Sequence, residues 1–376
     1  MELPRPDVDP GGLLEYSVVF TDRSLNHMSK RFVAVMNDIV DVLRSTYRAE
    51  AVAVVPGGGT YAMEAVARQL ATGRRCLVVR NGLFSYRWSQ ILDAGSIPAQ
   101  TTLCCARPAS GERAAPWSPA PVDEVVETIL RERPEVVLAA HVETAAGILL
   151  PDDYVRAVAD ATHDVGGLLV LDCIASGALW VDMSDLRVDV LLSAPQKGWS
   201  GSPCAGFVML GEAGRAAVAS TTSTSFAADL GTWLSITEAY TQGRTPYHVT
   251  MPTDTLAHDA ALMRETREAG LETLRAAQTA LGTRVRALLA EHGFPSVAAD
   301  GFAAPSVVVA HTDDPDVRSG ARFSQVGIQA AAGVPLMCGE GEDFSTFRIG
   351  LFGLDKLSDV DGTVERLAAR LDRLGG

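Results

Sequence analysis

Lysine is nearly missing from this sequence. Of 32 basic residues in 376, only Lys30, Lys197 and Lys356 are lysines. A GC-rich coding bias accounts for the surplus of arginine, and it leaves three candidates for any chemistry that needs a primary amine. Positive charge is scarce overall. Forty-six acids outnumber the bases, and the formal charge of −14 excludes the basic footprint of a nucleic-acid-binding protein. Long apolar runs are absent, and no stretch approaches the ~20 residues of a membrane span. The opening residues, MELPRPDVDPGG, lack the basic head and apolar middle of a secretory signal. The six cysteines (76, 104, 105, 173, 204 and 338) form no CxxC pair, and several sit in apolar stretches. They read as free thiols in a reducing compartment. The expectation is a cytoplasmic protein with neither nucleic-acid nor membrane partners.

The content that remains is that of a folded protein. A chain 47% apolar and 21% charged is not disordered, and its length suggests a large domain with a smaller one attached. Short apolar runs at 51–55, 76–79, 136–140, 168–172, 188–194 and 205–210 alternate with helical stretches such as YAMEAVARQLATG and DEVVETILRER. Strands without strict polar alternation are covered on both faces, so the pattern reads as an α/β fold with a mostly parallel sheet. Beyond about residue 253 comes a long helical stretch with glycines placed to break or kink it. Strand-like SVVVAH and TFRIGLFG and a last helix follow, which predicts a smaller C-terminal α+β domain. The expected division is an arm over 1–25, a large domain over 26–253 and a small one over 254–376. The Pro/Ala/Ser-rich segment 107–123 reads as a surface loop.

Three features carry chemistry. AVAVVPGGGTYAMEA is strand, glycine turn and helix, with Thr60 placed to cap the helix and Gly73 to end it. Free N–H groups at such a helix start attract phosphate. The spacing is neither GxGxxG nor GK[ST], so dinucleotide and P-loop readings fail. LLVLD puts Asp172 at the carboxyl end of a buried strand, and VDVLLSAPQKG puts Lys197 just beyond the next one. Ligands bind at that sheet edge in α/β folds. A carboxylate, an amine and a phosphate cradle on one edge suggest pyridoxal 5'-phosphate, whose chemistry uses all three. Taken singly, a turn, a helix cap and a solvated amine would explain them.

From about residue 24 onward the chain resembles the class V aminotransferases of fold type I, closest in pattern to alanine–glyoxylate and serine–pyruvate aminotransferases. The resemblance rests on PGGGTYAMEA, NGLFSYRW (81–88), HVETAAG (141–147), LDCIASGALWVDM (171–183), SAPQKG (193–198), TPYHVTMP (245–252) and FRIGLFG (347–353). It implies a pyridoxal-phosphate-dependent transferase that moves an amino group between a small amino acid and a 2-oxo acid. In that case Lys197 forms the internal aldimine and Asp172 binds the pyridine nitrogen, these two being the catalytic pair. Phe84 stacks on the ring, and Gly58, Gly59, Thr60 and Gln196 hold the phosphate. Thr144 and Ser176 lie beside the cofactor, and Arg348 grips the substrate carboxylate. Tyr247 and Thr250 reach the cofactor of a neighbouring subunit, which implies a homodimer.

The chain departs from the family pattern in two places. Ala145 and Ala146 stand where Ser-Thr is frequent, and Gly58 stands where serine is usual. Other readings were weighed. His141-Val-Glu143 resembles the HxE of zinc deaminases, but Pro203-Cys204 lacks the second cysteine, so no metal site is expected. A lyase on the same fold, such as a cysteine desulfurase, is the alternative function. Gln196 stands where such enzymes usually have histidine, while Cys338 lies in a turn-like segment. A non-catalytic binding protein is argued against by the intact Asp172/Lys197 pair.

Overall fold

The computed structural model describes residues 3–17 and 21–374. Seven strands form the central sheet: β1 (Ala51–Pro56), β2 (Arg75–Arg80), β3 (Gln100–Cys105), β4 (Val136–Ala140), β5 (Leu168–Asp172), β6 (Val190–Ser193) and β7 (Ala205–Leu210). Their order is β1-β7-β6-β5-β4-β2-β3, and β7 alone runs against its neighbours. The inner strands read as unbroken apolar runs because both faces are covered. Every residue of β4, β6 and β7 is buried. β3 shows why it carried no apolar signal: it is an edge strand, and Gln100–Leu103 are partly or wholly exposed.

The covering helices are amphipathic. α1 (Lys30–Tyr47) starts at Ser29, whose hydroxyl accepts the Phe32 N–H, and it buries Phe32, Met36, Ile39 and Leu43 at the i, i+3, i+4 spacing of one face. α2 (Gly59–Leu70) lies on β7, α3 (Leu83–Ala94) on β2, and α5 (Asp152–Asp164) on β5. Between the last two in sequence, α4 (Val122–Glu132) packs on α5. α6 (Glu212–Ser220), α7 (Leu230–Thr241) and α8 (Thr253–Glu268) complete this part, with α7 on β1 and α8 on α1. The glycines of the long C-terminal helical stretch act differently from one another. Gly270, at φ +90°, separates α8 from α9 (Leu271–Glu291), whereas Gly282 sits inside α9 without breaking it. A Cβ there would lie 2.4 Å from Pro305 Cα, so Gly282 serves close packing instead.

A second, antiparallel sheet is built from β8 (Val307–His311), β9 (Ala331–Ala332) and β10 (Thr346–Gly350), with β10 in the middle. The chain ends in α10 (Val360–Leu371), which packs on α9. The Gln278 side chain donates to the carbonyls of Pro305 and Leu351, and Ser306 donates to Ala175, which ties the second sheet to the loop after β5. Segment 107–123 is less of a surface loop than its composition suggests. Trp117 is buried and exchanges backbone hydrogen bonds with Val297 and Ala299. Among the described residues no helix is long and apolar enough to cross a membrane.

Candidate functional site

The parallel strands place the loops that follow β1, β2, β4, β5 and β6 on one edge of the sheet. Asp172 ends β5 in register with Ala140 and Leu192, and Lys197 follows β6 by four residues. The sequence-predicted carboxylate, amine and glycine turn therefore meet at the carboxyl edge.

The glycine turn is shaped by two kinds of constraint. Gly58 has φ +143°, a conformation that disfavours any side chain, and it caps α2 in place of Thr60. Gly59 packs closely on the loop after Asp172, where an added Cβ would come within 2.5 Å of Ile174 Cδ1 and push that side chain aside. Among the described residues the N–H groups of Gly58, Gly59 and Thr60 have no acceptor. They form an anion cradle at the start of α2.

Glycine also joins the Asp172 loop to the Lys197 loop. A Cβ on Gly198 would lie 2.2 Å from the Gly177 carbonyl oxygen. Both atoms in this clash are close to backbone, so no rotamer relieves it. Gly198→Ala is expected to cost about 2 kcal/mol in urea unfolding of the cofactor-free protein, with secondary structure kept. A variant as stable as the parent would show that the two loops can separate freely.

Asp172 is buried, and its carboxylate accepts one hydrogen bond, from Ile174 N–H at 2.9 Å. Burial pushes its pKa up to about 6. The charge of Glu143 acts in the same direction, against the Ile174 bond and the Arg87 cation. Lys197 is half-buried, and its Nζ lies 4.9 Å from the centroid of the Phe352 ring. Burial, and then repulsion from Arg348, lowers its pKa.

Arg348 is on β10. Strand alternation puts Phe347 and Ile349 into the core and leaves Arg348 on the other face, opposite Val309. Its Nε donates to the Ala332 carbonyl at 2.9 Å, and its guanidinium lies 5.6 Å from the Phe84 ring. Phe84 heads α3, whose start is held by the buried Glu143 carboxylate. That group accepts the N–H of Phe84, Ser85 and Ala145 and the Ser85 hydroxyl. Glu143 thus orients Phe84, a role not read from HVE. Ala145 and Ala146 are fully buried in the apolar cluster with Val307, Val309 and Leu336, which explains alanine there.

Arg87 was not singled out from the sequence. One helical turn beyond Phe84, it lies 5.3 Å from that ring and donates to Thr60 Oγ1 at 3.1 Å, which sets a cation beside the cradle. Its i+3 spacing from Phe84 was the available signal. Gln196 places its carboxamide oxygen in the interior with no donor facing it. Thr144 is half-buried. Ser176 is buried, with its hydroxyl 2.7 Å from His141 Nδ1. Burial lowers His141 to about 4, so the ring is neutral. Tyr247 and Thr250 are exposed and touch each other, Oη to Oγ1, at 3.3 Å.

A protein of Burkholderia thailandensis named 2-aminoethylphosphonate–pyruvate transaminase is 30% identical over 366 residues, covering 94% of this chain and 90% of its own. The chain belongs to the class V aminotransferases. The crystal structure of an alanine–glyoxylate aminotransferase from Nostoc sp. superposes with a TM-score of 0.77. It covers 93% of this chain and 89% of its own at 20% identity, a likeness of fold. A Synechococcus sp. protein named as the small subunit of a soluble hydrogenase is 25% identical over 93% of this chain and 88% of its own. No protein-family model matches the chain. Among the described residues no three His, Cys, Asp or Glu side chains are grouped to hold a metal ion.

Proposed function

We propose that this aminotransferase uses pyridoxal 5'-phosphate bound at the carboxyl edge of the central sheet. It exchanges an amino group between a small, alanine- or serine-like amino acid and a pyruvate- or glyoxylate-like 2-oxo acid. The observation that carries the reading is the convergence of Asp172, Lys197 and the Gly58–Thr60 N–H groups on one sheet edge. The residues fit the group. A buried carboxylate with no cation bonded to it suits a protonated ring nitrogen, three unpaired N–H groups suit a phosphate, and a half-buried amine with a lowered pKa suits a carbonyl.

When bound, the cofactor supplies an electron sink for the charge that develops at the substrate α-carbon. The chain's own residues do the rest. Asp172 holds the ring nitrogen's proton. Lys197 Nζ anchors the cofactor and then takes and returns the α-carbon proton, a task suited to an amine of lowered pKa. Gly58, Gly59, Thr60 and Gln196 hold the phosphate, with Arg87 as counter-charge. Phe84 would stack on the flat ring. Arg348 then presents two parallel N–H donors to a carboxylate and fixes the α-carbon. Thr144 and Ser176 line the site. Tyr247 and Thr250, exposed in one chain, complete the phosphate site of a partner chain in a homodimer.

Product analysis tests the proposal. Protein supplied with the cofactor, pyruvate or glyoxylate, and a donor (alanine, serine or 2-aminoethylphosphonate) is expected to form new amino acid from the acceptor. The donor's carbonyl product should match it one for one. Arg348→Ala is expected to raise KM for the 2-oxo acid about 100-fold, the loss of a bidentate charged contact. Carbonyl product beyond one equivalent per cofactor without an acceptor, or sulfide released from cysteine, would make the chain a lyase. With Cys105 reduced, Cys338 gives that alternative no thiolate, because its thiol faces the carbonyls of Arg80 and Leu336 and holds its proton far above the usual thiol range.

A further inference from the structure

Four of the six cysteines (76, 104, 173 and 204) are buried. Burial raises their thiols, Cys104 to about 11 and Cys76 to about 12. Cys105 and Cys338 are different. Both are half-buried, and although far apart in sequence they meet at one residue, Arg80, which is Cys105's register partner and whose carbonyl faces the Cys338 thiol. Cys105 ends β3 in register with Arg80 of β2. The Arg80 carbonyl accepts the Ala106 N–H and, at 3.4 Å, the Cys338 thiol. The Arg80 guanidinium reaches the Met337 carbonyl at 3.2 Å. The Glu340 carboxylate accepts the N–H groups of Leu336, Met337 and Cys338. The turn over 336–340 is thus folded on itself by Glu340 and docked by Arg80 on the ends of β2 and β3. The docking brings Cys338 onto the strand pair that carries Cys105.

The two thiols are unequal. The neighbouring Cys338 thiol, and then, against burial, the Arg80 and Arg107 cations, draw Cys105 below the usual thiol range, whereas Cys338, facing the Arg80 and Leu336 carbonyls, keeps its proton. A nucleophilic thiolate beside a protonated partner is the arrangement of an attacking and a resolving cysteine.

We propose that Cys105 and Cys338 are an oxidation site, converted by a hydroperoxide into a disulfide that fastens the 336–340 turn to the end of β3. The Cys105 thiolate attacks one peroxide oxygen. The O–O bond breaks, the other oxygen leaves as hydroxide, and Cys105 becomes a sulfenic acid. With the Cys105 charge gone, Cys338 gives up its proton as its sulfur attacks that sulfur and the S–O bond breaks. The departing hydroxide takes up the Cys338 proton as water. Two electrons pass from the sulfur pair to one peroxide. The turn lies between β9 and β10, whose Ala332 carbonyl and Arg348 guanidinium are bonded to each other, so the disulfide restrains the segment that carries Arg348.

The test exposes the cofactor-loaded enzyme to a small excess of hydrogen peroxide, then counts thiols after denaturation and maps peptides without reduction. Six thiols per chain are expected to fall to four, with Cys105 and Cys338 peptides linked within one chain, and dithiothreitol should restore all six. In Cys338→Ser, dimedone should label Cys105. In Cys105→Ser, Cys338 should stay unmodified at the same dose. Six surviving thiols, a link involving another cysteine, a link between chains, or Cys338 oxidising as readily without Cys105 would overturn the proposal. The wild-type peptide map decides even if a variant fails to fold.

Discussion

Lys197→Ala is expected to lower amino transfer about 10³-fold or more, since it removes both the anchor of the cofactor carbonyl and the base for the α-carbon proton. The scarcity of lysine sharpens this prediction. Lys30 is exposed at the start of α1, and the Lys356 ammonium is bonded to the Phe352 carbonyl at 2.9 Å, one turn back in the chain. Only Lys197 follows a strand of the parallel sheet and is half-buried beside Phe352, with a pKa lowered by its surroundings. Lys30→Arg and Lys356→Arg should therefore leave turnover within about twofold of the parent. The check is steady-state turnover of the three variants, joined to borohydride reduction of the cofactor-loaded wild type and peptide mapping. Reduction should fix the cofactor to the peptide that contains position 197. A modified peptide at 30 or 356, or substantial turnover in Lys197→Ala, would move the chemistry elsewhere.

Asp172 and Lys197 were legible because each follows a run of buried apolar residues, and a parallel sheet delivers the ends of such runs to one edge. The same logic missed β3, whose outer residues meet solvent, so that QTTLCC carries no apolar run. It also read 107–123 as exposed, because composition cannot show that Trp117 pairs with a chain segment nearly two hundred residues away. Thr60 looked like a cap, yet the positive φ of Gly58 starts the helix two residues earlier and leaves Thr60 facing Arg87. Arg87 and Glu143 escaped for a related reason. Their roles depend on which loops come together, and arginine is too common in this chain to stand out. Motif spacing carries the groups that perform chemistry, whereas the groups that aim them emerge only from tertiary contacts.

Asp172→Asn is expected to separate stability from activity. In the cofactor-free chain the carboxyl titrates near 6, against 3.8 for an ordinary aspartate. The native state therefore holds this proton more tightly than the unfolded state does. As pH rises from about 4 to about 6 the group loses stability for the fold, and above about 6 the cost is complete, on the order of 3 kcal/mol. Asparagine keeps an acceptor for the Ile174 N–H and cannot ionise. In urea unfolding the cofactor-free variant should gain on the parent by roughly 2–3 kcal/mol between pH 4 and pH 7.5, and the gain should vanish toward the acid end. Activity should move the opposite way. A neutral amide does not stabilise a protonated ring nitrogen, so turnover should fall about 10²–10³-fold, the scale of losing one preorganised electrostatic contact. Cofactor added to the wild type should cancel the pH-dependent part of the stability difference, because a cation beside the carboxylate compensates its burial. A stability difference that does not change with pH would mean that Asp172 is already solvated or paired in the cofactor-free protein. Full activity in Asp172→Asn would mean that this carboxylate does not face the ring nitrogen.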